Sequence, residues 1–248
     1  MNQKPKLRDS KQITTKLLAT QPLYPLNLFP ENIIKKIGSY FVYLIYIGRK
    51  DISGEDWGDA FADSVGGIHL DSPVGIADVV LGKNCWSMKT VKAKEPFSST
   101  NIRLISGRCS PDYSYGITDP HKDIQKTGEA VLNIWNERIN MANDHYSHVR
   151  TIILIRSYDL LSYRLFEEKT IRYRTTDYHW KVNNNGNLIG LDAYERVCFT
   201  WQPHGSQFTI HTEVPKDAIK FCVRKPPKLQ KEDVYKAIDF NENWITIL

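Results

Sequence analysis

Residues 75–92 read GIADVVLGKNCWSMKTVK. Asp78 is a lone acid in one apolar run and Lys89 a lone base in the next, with Gly82-Lys83-Asn84 between them. If the two runs are strands of a hairpin, both side chains project from the same end of the sheet, and Ser87 shares the face of Lys89. A carboxylate facing a lysine suits metal-assisted hydrolysis of a phosphodiester. The carboxylate would hold a divalent cation, which neutralises the phosphate and lowers the pKa of a bound water. The lysine would orient that water and stabilise developing charge. Magnesium prefers oxygen ligands and keeps several waters, and one carboxylate is rarely enough, so a second acid is expected nearby. Each residue also has a plain reading: an acid beside a turn, and a lysine whose stem snorkels along a strand.

The elements that must position these residues follow from pattern and turn chemistry. Residues 11–20 and 30–38 read as short helices, and YFVYLIYIG at 40–48 as a core strand. SGEDWGDAFADSVGG reads as a helix with Ser53 as N-cap, acids in its first turn and Gly66-Gly67 at its end. Strands are expected at 74–81, 85–92 and 101–108. A long helix at 121–143 follows, because Ile124, Val131, Leu132, Trp135, Ile139 and Ala142 recur at spacings of three and four. VRTIILIR at 149–156 reads as a buried strand. Hairpins around Asn-Gly at 185–186 and Pro203-His204-Gly205, and a last strand near 219–224, make residues 158–248 a β-rich extension.

Composition narrows the function classes. The chain has 248 residues, 41% hydrophobic and 25% charged, which fits one globular domain: an N-terminal segment (1–50), a core (51–157) and the extension (158–248). A net charge of +5 permits a polyanionic partner without demanding one. The four cysteines form no C-x-x-C pair, which argues against zinc and for reduced thiols. The polar N-terminus has no apolar h-region, and the longest apolar run is too short for a bilayer, so a cytoplasmic protein without a membrane partner is expected. P-loop spacing is missing and Asn84 stands where Ser or Thr is needed, so no ATP site is expected. H-E-x-x-H and G-x-S-x-G are also missing, and the seven histidines are scattered.

With Asp78 at the start of one strand, Ser87-Met88-Lys89 on the next, and the order α-β-β-β-α-β over 54–156, the chain resembles the PD-(D/E)xK nucleases, in particular type II restriction endonucleases. The resemblance covers about the central hundred residues. It implies an α/β (α+β) fold with a restriction-endonuclease-like αβββαβ core, a mixed central sheet and magnesium as cofactor, with manganese able to substitute. Asp78 would ligate the metal and Lys89 orient the attacking water. The chain departs from the pattern at Ala77, where the family often has Pro, and at Ser87, where it has an acid. Glu55 on the preceding helix is the first candidate to replace that acid, with Asp59 one turn on. Glu129 and Asp71 are further candidates. The catalytic set is thus Asp78, Lys89, Ser87 and Glu55, and the metal set Asp78, Glu55 and Met88.

DNA-facing candidates are Arg103, Ser106 and Arg108 after the hairpin, Lys92 at its end, and Arg172, Arg174 and Lys181 in the stretch KTIRYRTTDYHWK, where bases alternate with aromatics. Any one of them also reads as an ordinary solvated charge. The resemblance implies double-stranded DNA as partner and, for cutting both strands of a symmetric site, a homodimer. Three rivals stay open: a repair or junction nuclease of the same fold, a DNA-binding protein with a decayed nuclease core, and an RNA-processing enzyme.

Overall fold

The structure, a computed structural model, describes residues 4–6, 21–70 and 76–248. The expected helix at 11–20 therefore lies outside the described residues. Helix α1 (Glu31–Tyr46) buries Ile33, Ile37, Phe41 and Leu44, spaced by four, four and three. That spacing runs through the stretch expected as a strand at 40–48, which is instead the second half of this one helix. Phe41 and Leu44 face the core, and Tyr43 and Ile47 face outward. Helix α2 (Gly54–Val65) starts as its sequence predicts. Ser53 Oγ accepts from the Asp56 amide at 3.0 Å, and Asp56 Oδ2 accepts from the Ser53 amide at 2.9 Å. Gly66, at φ 69°, ends it.

Chain order then gives β1 (Ile68–His69), β2 (Val79–Leu81), β3 (Asn84–Lys92), β4 (Asn101–Arg108), α3 (Pro111–Tyr115), α4 (Ile124–His145), β5 (His148–Arg156) and β6 (Ser162–Lys169). It continues through β7 (His179–Val182), β8 (Leu188–Leu191), β9 (Val197–Gln202), β10 (Gln207–Glu213), β11 (Ile219–Cys222) and α5 (Lys231–Ala237). The fold is mixed α and β. One sheet has the order β1-β2-β3-β5-β6-β11, the other β4-β10-β9-β8-β7. In the first, β3 and β5 are parallel, joined by the crossover that contains α4, and the other pairs are antiparallel.

Two expectations about strand membership are corrected. β4 is a strand, but it leaves the sheet of the hairpin and pairs with β10. Its buried residues alternate, Ile102, Leu104 and Ser106, so it turns one face to the first sheet and the other, with Asn101, Arg103 and Ile105, to solvent. The region after 158 is not all extension, because β6 and β11 belong to the first sheet. Tyr163 and Leu165 pack toward the helices on one face of β6, and Phe166 packs toward β4 on the other.

The first sheet separates two cores. On one face Trp57 and Phe61 of α2 and Phe41 of α1 meet Trp86, Met88, Ile152 and Leu154. On the other, Val131, Leu132 and Trp135 of α4 cover Cys85 and Val149, while β4 covers Ile153 and Ile155. Gly128 of α4 lets the second sheet close, since a Cβ there would lie 2.2 Å from the Trp180 indole. Cys85 and Cys109 are buried free thiols, Cys198 is half-buried and Cys222 exposed. Among the described residues no helix is long and apolar enough to cross a membrane.

An ion network fixes the start of α2 against the ends of β3 and β5. Asp51 takes Arg156 Nε at 2.8 Å and Lys92 Nζ at 3.3 Å, and Arg156 Nη1 donates to Thr90 Oγ1 at 2.8 Å. The Arg156 hydrogen bond holds the Asp51 carboxyl down at about 2. A depressed carboxyl contributes stability that is present above its unfolded pKa near 3.9 and lost as pH falls through its folded value. Asp51 is half exposed, so screening keeps the contribution below about 1 kcal/mol. Asp51→Asn is expected to unfold at lower urea than wild type at pH 7. The two curves should merge as pH falls to about 2. A gap that persists there would assign the loss to packing.

Candidate active site

The register of the hairpin brings its chemistry together. Val79 pairs with Trp86 and Val80 with Cys85, so Asp78 stands opposite Ser87, just before β2 begins. Its main chain is held on both sides: the Asp78 amide donates to the Trp86 carbonyl at 2.9 Å, and the Asp78 carbonyl accepts from the Leu70 amide at 2.7 Å. Asp78 Oδ2 accepts from the Met88 amide at 2.7 Å and from Ser87 Oγ at 3.3 Å. Lys89 Nζ lies 3.8 Å from the same oxygen and donates to the Met88 carbonyl at 3.2 Å. Among the described residues these contacts converge on Oδ2, and a cation would meet Asp78 at Oδ1.

About a quarter of the Asp78 side chain and a fifth of that of Lys89 reach solvent. Burial raises the Asp78 carboxyl above its ordinary value. The Lys89 charge, the Met88 amide, the Ser87 hydroxyl and the His69 imidazole pull it back only in part. A cation at Oδ1 would add what the site lacks, a further positive charge favouring the ionised form.

The other expected acids behave differently. Glu55 projects into solvent, with its carboxylate 3.8 Å from His69 Nε2. Asp59 Oδ1 lies 2.7 Å from His69 Nδ1. His69 packs against Gly58, where a Cβ would fall 2.3 Å from the ring. The imidazole is thus held by the α2 acids, and its charge also bears on Asp78. Sequence reading left His69 among the scattered histidines; its signal was Gly58, three residues after Glu55 and next to Asp59, which opens a seat on α2. Glu129 accepts from Gln125, whose other contacts are the Tyr178 carbonyl and the Trp180 amide, so it belongs to the seam between α4 and β7. Asp71 lies outside the described residues. The Met88 side chain is buried in the core beneath α2; what it brings to the site is its main chain.

On the far side of Lys89 a small cleft opens between the two sheets, lined among others by Ser106, Thr151, Glu168, Lys169 and Thr170. Ser106 is a buried member of this wall rather than a surface group. Arg108 pairs with Gln207 and Ile105 with Thr209, so Ser106 and Gly107 bulge opposite Phe208, and the Ser106 hydroxyl donates to the Leu104 carbonyl at 3.0 Å. Arg103, Arg108, Arg172 and Arg174 are exposed. Arg172 and Arg174 follow directly on Lys169 and Ile171 at the rim of the cleft. Arg174 lies 3.6 Å from Asp177. Lys181 is paired with Glu195 at 2.7 Å, and Lys92 with Asp51, with the Tyr158 ring beneath its ammonium.

Among the described residues no group of three or more His, Cys, Asp or Glu side chains is arranged to hold a metal ion. Asp78 thus fits only a hard cation that keeps most of its water and takes its remaining oxygens from a bound phosphate. Such an ion, when bound, neutralises phosphate charge and acidifies a water. To such an ion the chain would offer Asp78, held through the Met88 amide, with Lys89 beside it. No protein-family model, curated protein or solved structure matches this chain.

Proposed function

We propose that this chain is a magnesium-dependent endodeoxyribonuclease of the PD-(D/E)xK kind, similar to a type II restriction endonuclease, with manganese as a substitute for magnesium. The observation that carries the reading is the Asp78–Lys89 pair, 3.8 Å apart on adjoining strands, with Ser87 on the same oxygen. The strand order supports it. α2, β1, β2, β3, α4 and β5 run α-β-β-β-α-β, with the strands side by side in one sheet and β4 and α3 as an excursion from it. Lys89 orients the attacking water and steadies charge on the phosphate. Asp78 would hold the ion, and Glu55, exposed beside His69, would be the second acid on offer to it. Arg172 and Arg174 follow the backbone of double-stranded DNA past the cleft, while Arg103 and Arg108 read from the second sheet. A homodimer supplies the second active site for the opposite strand.

A second reading has its own observation. Ser87 replaces an acid and donates its hydroxyl to Asp78, as in a binding protein whose nuclease core has lost a metal ligand. The test is incubation with unmodified plasmid and phage DNA, in magnesium and in EDTA, followed by gel analysis. Discrete fragments in magnesium alone support the restriction-type reading. A magnesium-dependent smear favours a repair-type nuclease of the same fold. DNA bound but uncut favours the decayed core.

A further inference from the structure

Residues 224–248 take no part in the proposed mechanism or in the cores on either face of the first sheet. The chain leaves the body at Val223, whose amide donates to the Leu161 carbonyl at 3.0 Å and whose side chain packs beside Gly38 of α1. Pro226 and Pro227 follow, and two adjacent prolines make a stiff, extended link. From residue 224 onward no residue is buried. Among the described residues, none of 224–248 forms a hydrogen bond or ion pair with the chain before it.

This arm is nevertheless not a polar tail. It contains α5, and past the helix Phe240 stacks on Tyr235 with ring centroids 4.5 Å apart. Trp244 meets Phe240 edge-on at 5.8 Å, and the Phe240 amide donates to the Tyr235 carbonyl at 2.9 Å. Tyr235, Ile238, Trp244 and Ile245 stay 39%, 45%, 59% and 65% exposed. An apolar cluster built by its own contacts and left uncovered by the single chain marks a binding surface.

The charges of the arm say what covers it. Residues 224–231 hold Arg224, Lys225, Lys228 and Lys231 and no acid. Residues 232–242 hold Glu232, Asp233, Asp239 and Glu242 and one base, Lys236. Two copies of this segment side by side in the same direction would set like charges together. Laid antiparallel about a two-fold axis, the basic run of each meets the acidic run of the other. A two-fold contact needs a self-complementary surface, and a segment with its charges sorted in this way is one. A membrane surface or a nucleic-acid backbone would match the basic run and repel the acidic one. Size agrees as well: a stable interface takes about 20–30 residues from each partner, and the arm has 25.

We propose that residues 224–248 dock against the same segment of a second copy of this chain, antiparallel across a two-fold axis. Tyr235, Ile238, Phe240 and Trp244 supply the apolar contact, and the two charged runs set direction and register. This contact deepens the homodimer of the reading above, on which it rests.

The test is sedimentation velocity of the full chain without DNA, at concentrations from about 0.1 to 100 μM. It compares wild type, Trp244→Ala, the pair Lys225→Glu with Lys228→Glu, and that pair combined with Glu232→Lys and Asp233→Lys. Wild type is expected to dimerise, with a dissociation constant that rises about tenfold or more in Trp244→Ala and in the Lys-to-Glu pair. The fourfold variant, with its charges sorted the other way round, is expected to return to within about threefold of wild type. Circular dichroism should show one fold in all four, because the arm supports neither core. A dimer that Trp244→Ala and the Lys-to-Glu pair leave unchanged is held elsewhere; it overturns the proposal and spares the homodimer. A fourfold variant that fails to recover overturns the antiparallel pairing. A monomeric wild type overturns the proposal and the homodimer together, and its capture by vesicles of phosphatidylserine and phosphatidylcholine would give the arm to a membrane surface instead. None of these outcomes bears on Asp78 and Lys89, which the cleavage assay tests.

Discussion

Asp78→Asn is expected to lose magnesium-dependent cleavage by about 10²–10⁴-fold while unfolding at the same or a higher temperature than wild type. The two halves of this result have one cause. In the free protein the Asp78 carboxyl is raised by burial, so keeping it ionised costs folding free energy. A raised carboxyl contributes most below its unfolded pKa near 3.9, and that contribution is lost as pH rises through the folded value. At pH 7 the asparagine escapes the penalty, and its amide oxygen still accepts the Met88 N–H. What it cannot do is offer an anionic oxygen to a cation. Lys89→Ala should show the same loss of cutting with DNA binding retained, because the exposed arginines at the rim are untouched. Gel cleavage, filter binding and thermal melts on one set of preparations check all three statements. Cleavage at the wild-type rate by either variant would remove its residue from the catalytic set.

The largest effect on stability is expected at Glu167, at about 3–5 kcal/mol for Glu167→Ala. Its side chain is fully buried and binds three donors: the Tyr24 hydroxyl at 2.8 Å, the Trp86 indole at 2.7 Å and Arg150 Nη1 at 2.9 Å. Arg150 also donates to the Tyr24 carbonyl at 2.8 Å, and Asn27 bonds the Glu167 main chain on both sides. Burial raises the Glu167 carboxyl despite Arg150, and pushes the Tyr24 hydroxyl up as well. The pair therefore gains little over apolar residues of the same shape. Removing one partner is another matter, since it strands a guanidinium, a phenol and an indole N–H without water. Typical domains have only about 5–15 kcal/mol of stability, so this loss is a large share. Urea unfolding at pH 7 measures it. Glu167→Gln, which keeps the shape and one acceptor, should lose less, and equal losses would point to charge rather than packing.

Glu167 and its neighbour Glu168 show where sequence reading stops. They lie in FEEK, a stretch that sequence reading did not single out. Alternation sends them to opposite faces, and both faces are covered, one by the segment carrying Tyr24 and the other by β10. Neither cover lies within forty residues, so no local pattern reveals it. Asp78 and Lys89 were legible for the opposite reason: the turn that joins their strands is two residues long, Gly82-Lys83, and hairpin register follows from it. α2 and α4 were legible from a cap and a period. The second half of α1 was not, because YFVYLIYIG is apolar on nearly every side and a short run of that kind fits strand and helix alike. β4 announced itself as a strand by alternation, but its partner begins about a hundred residues downstream.

The long-range pairing of β4 with β10, and of β6 with β11, also sets an order in time. Synthesis delivers Asp78 and Lys89 early, yet β5, which aligns β3 by parallel pairing, is complete only at Arg156. The strand that faces Lys89 across the cleft stays without its neighbour until β10 has emerged, and the first sheet stays one strand short until Cys222. Pairings so distant in sequence form late, because loop closure must precede the contacts that reward it. A nascent or truncated chain thus carries the reactive side chains without the walls that aim them. The walls around Asp78 and Lys89 are complete only once β10 and β11 have emerged and paired.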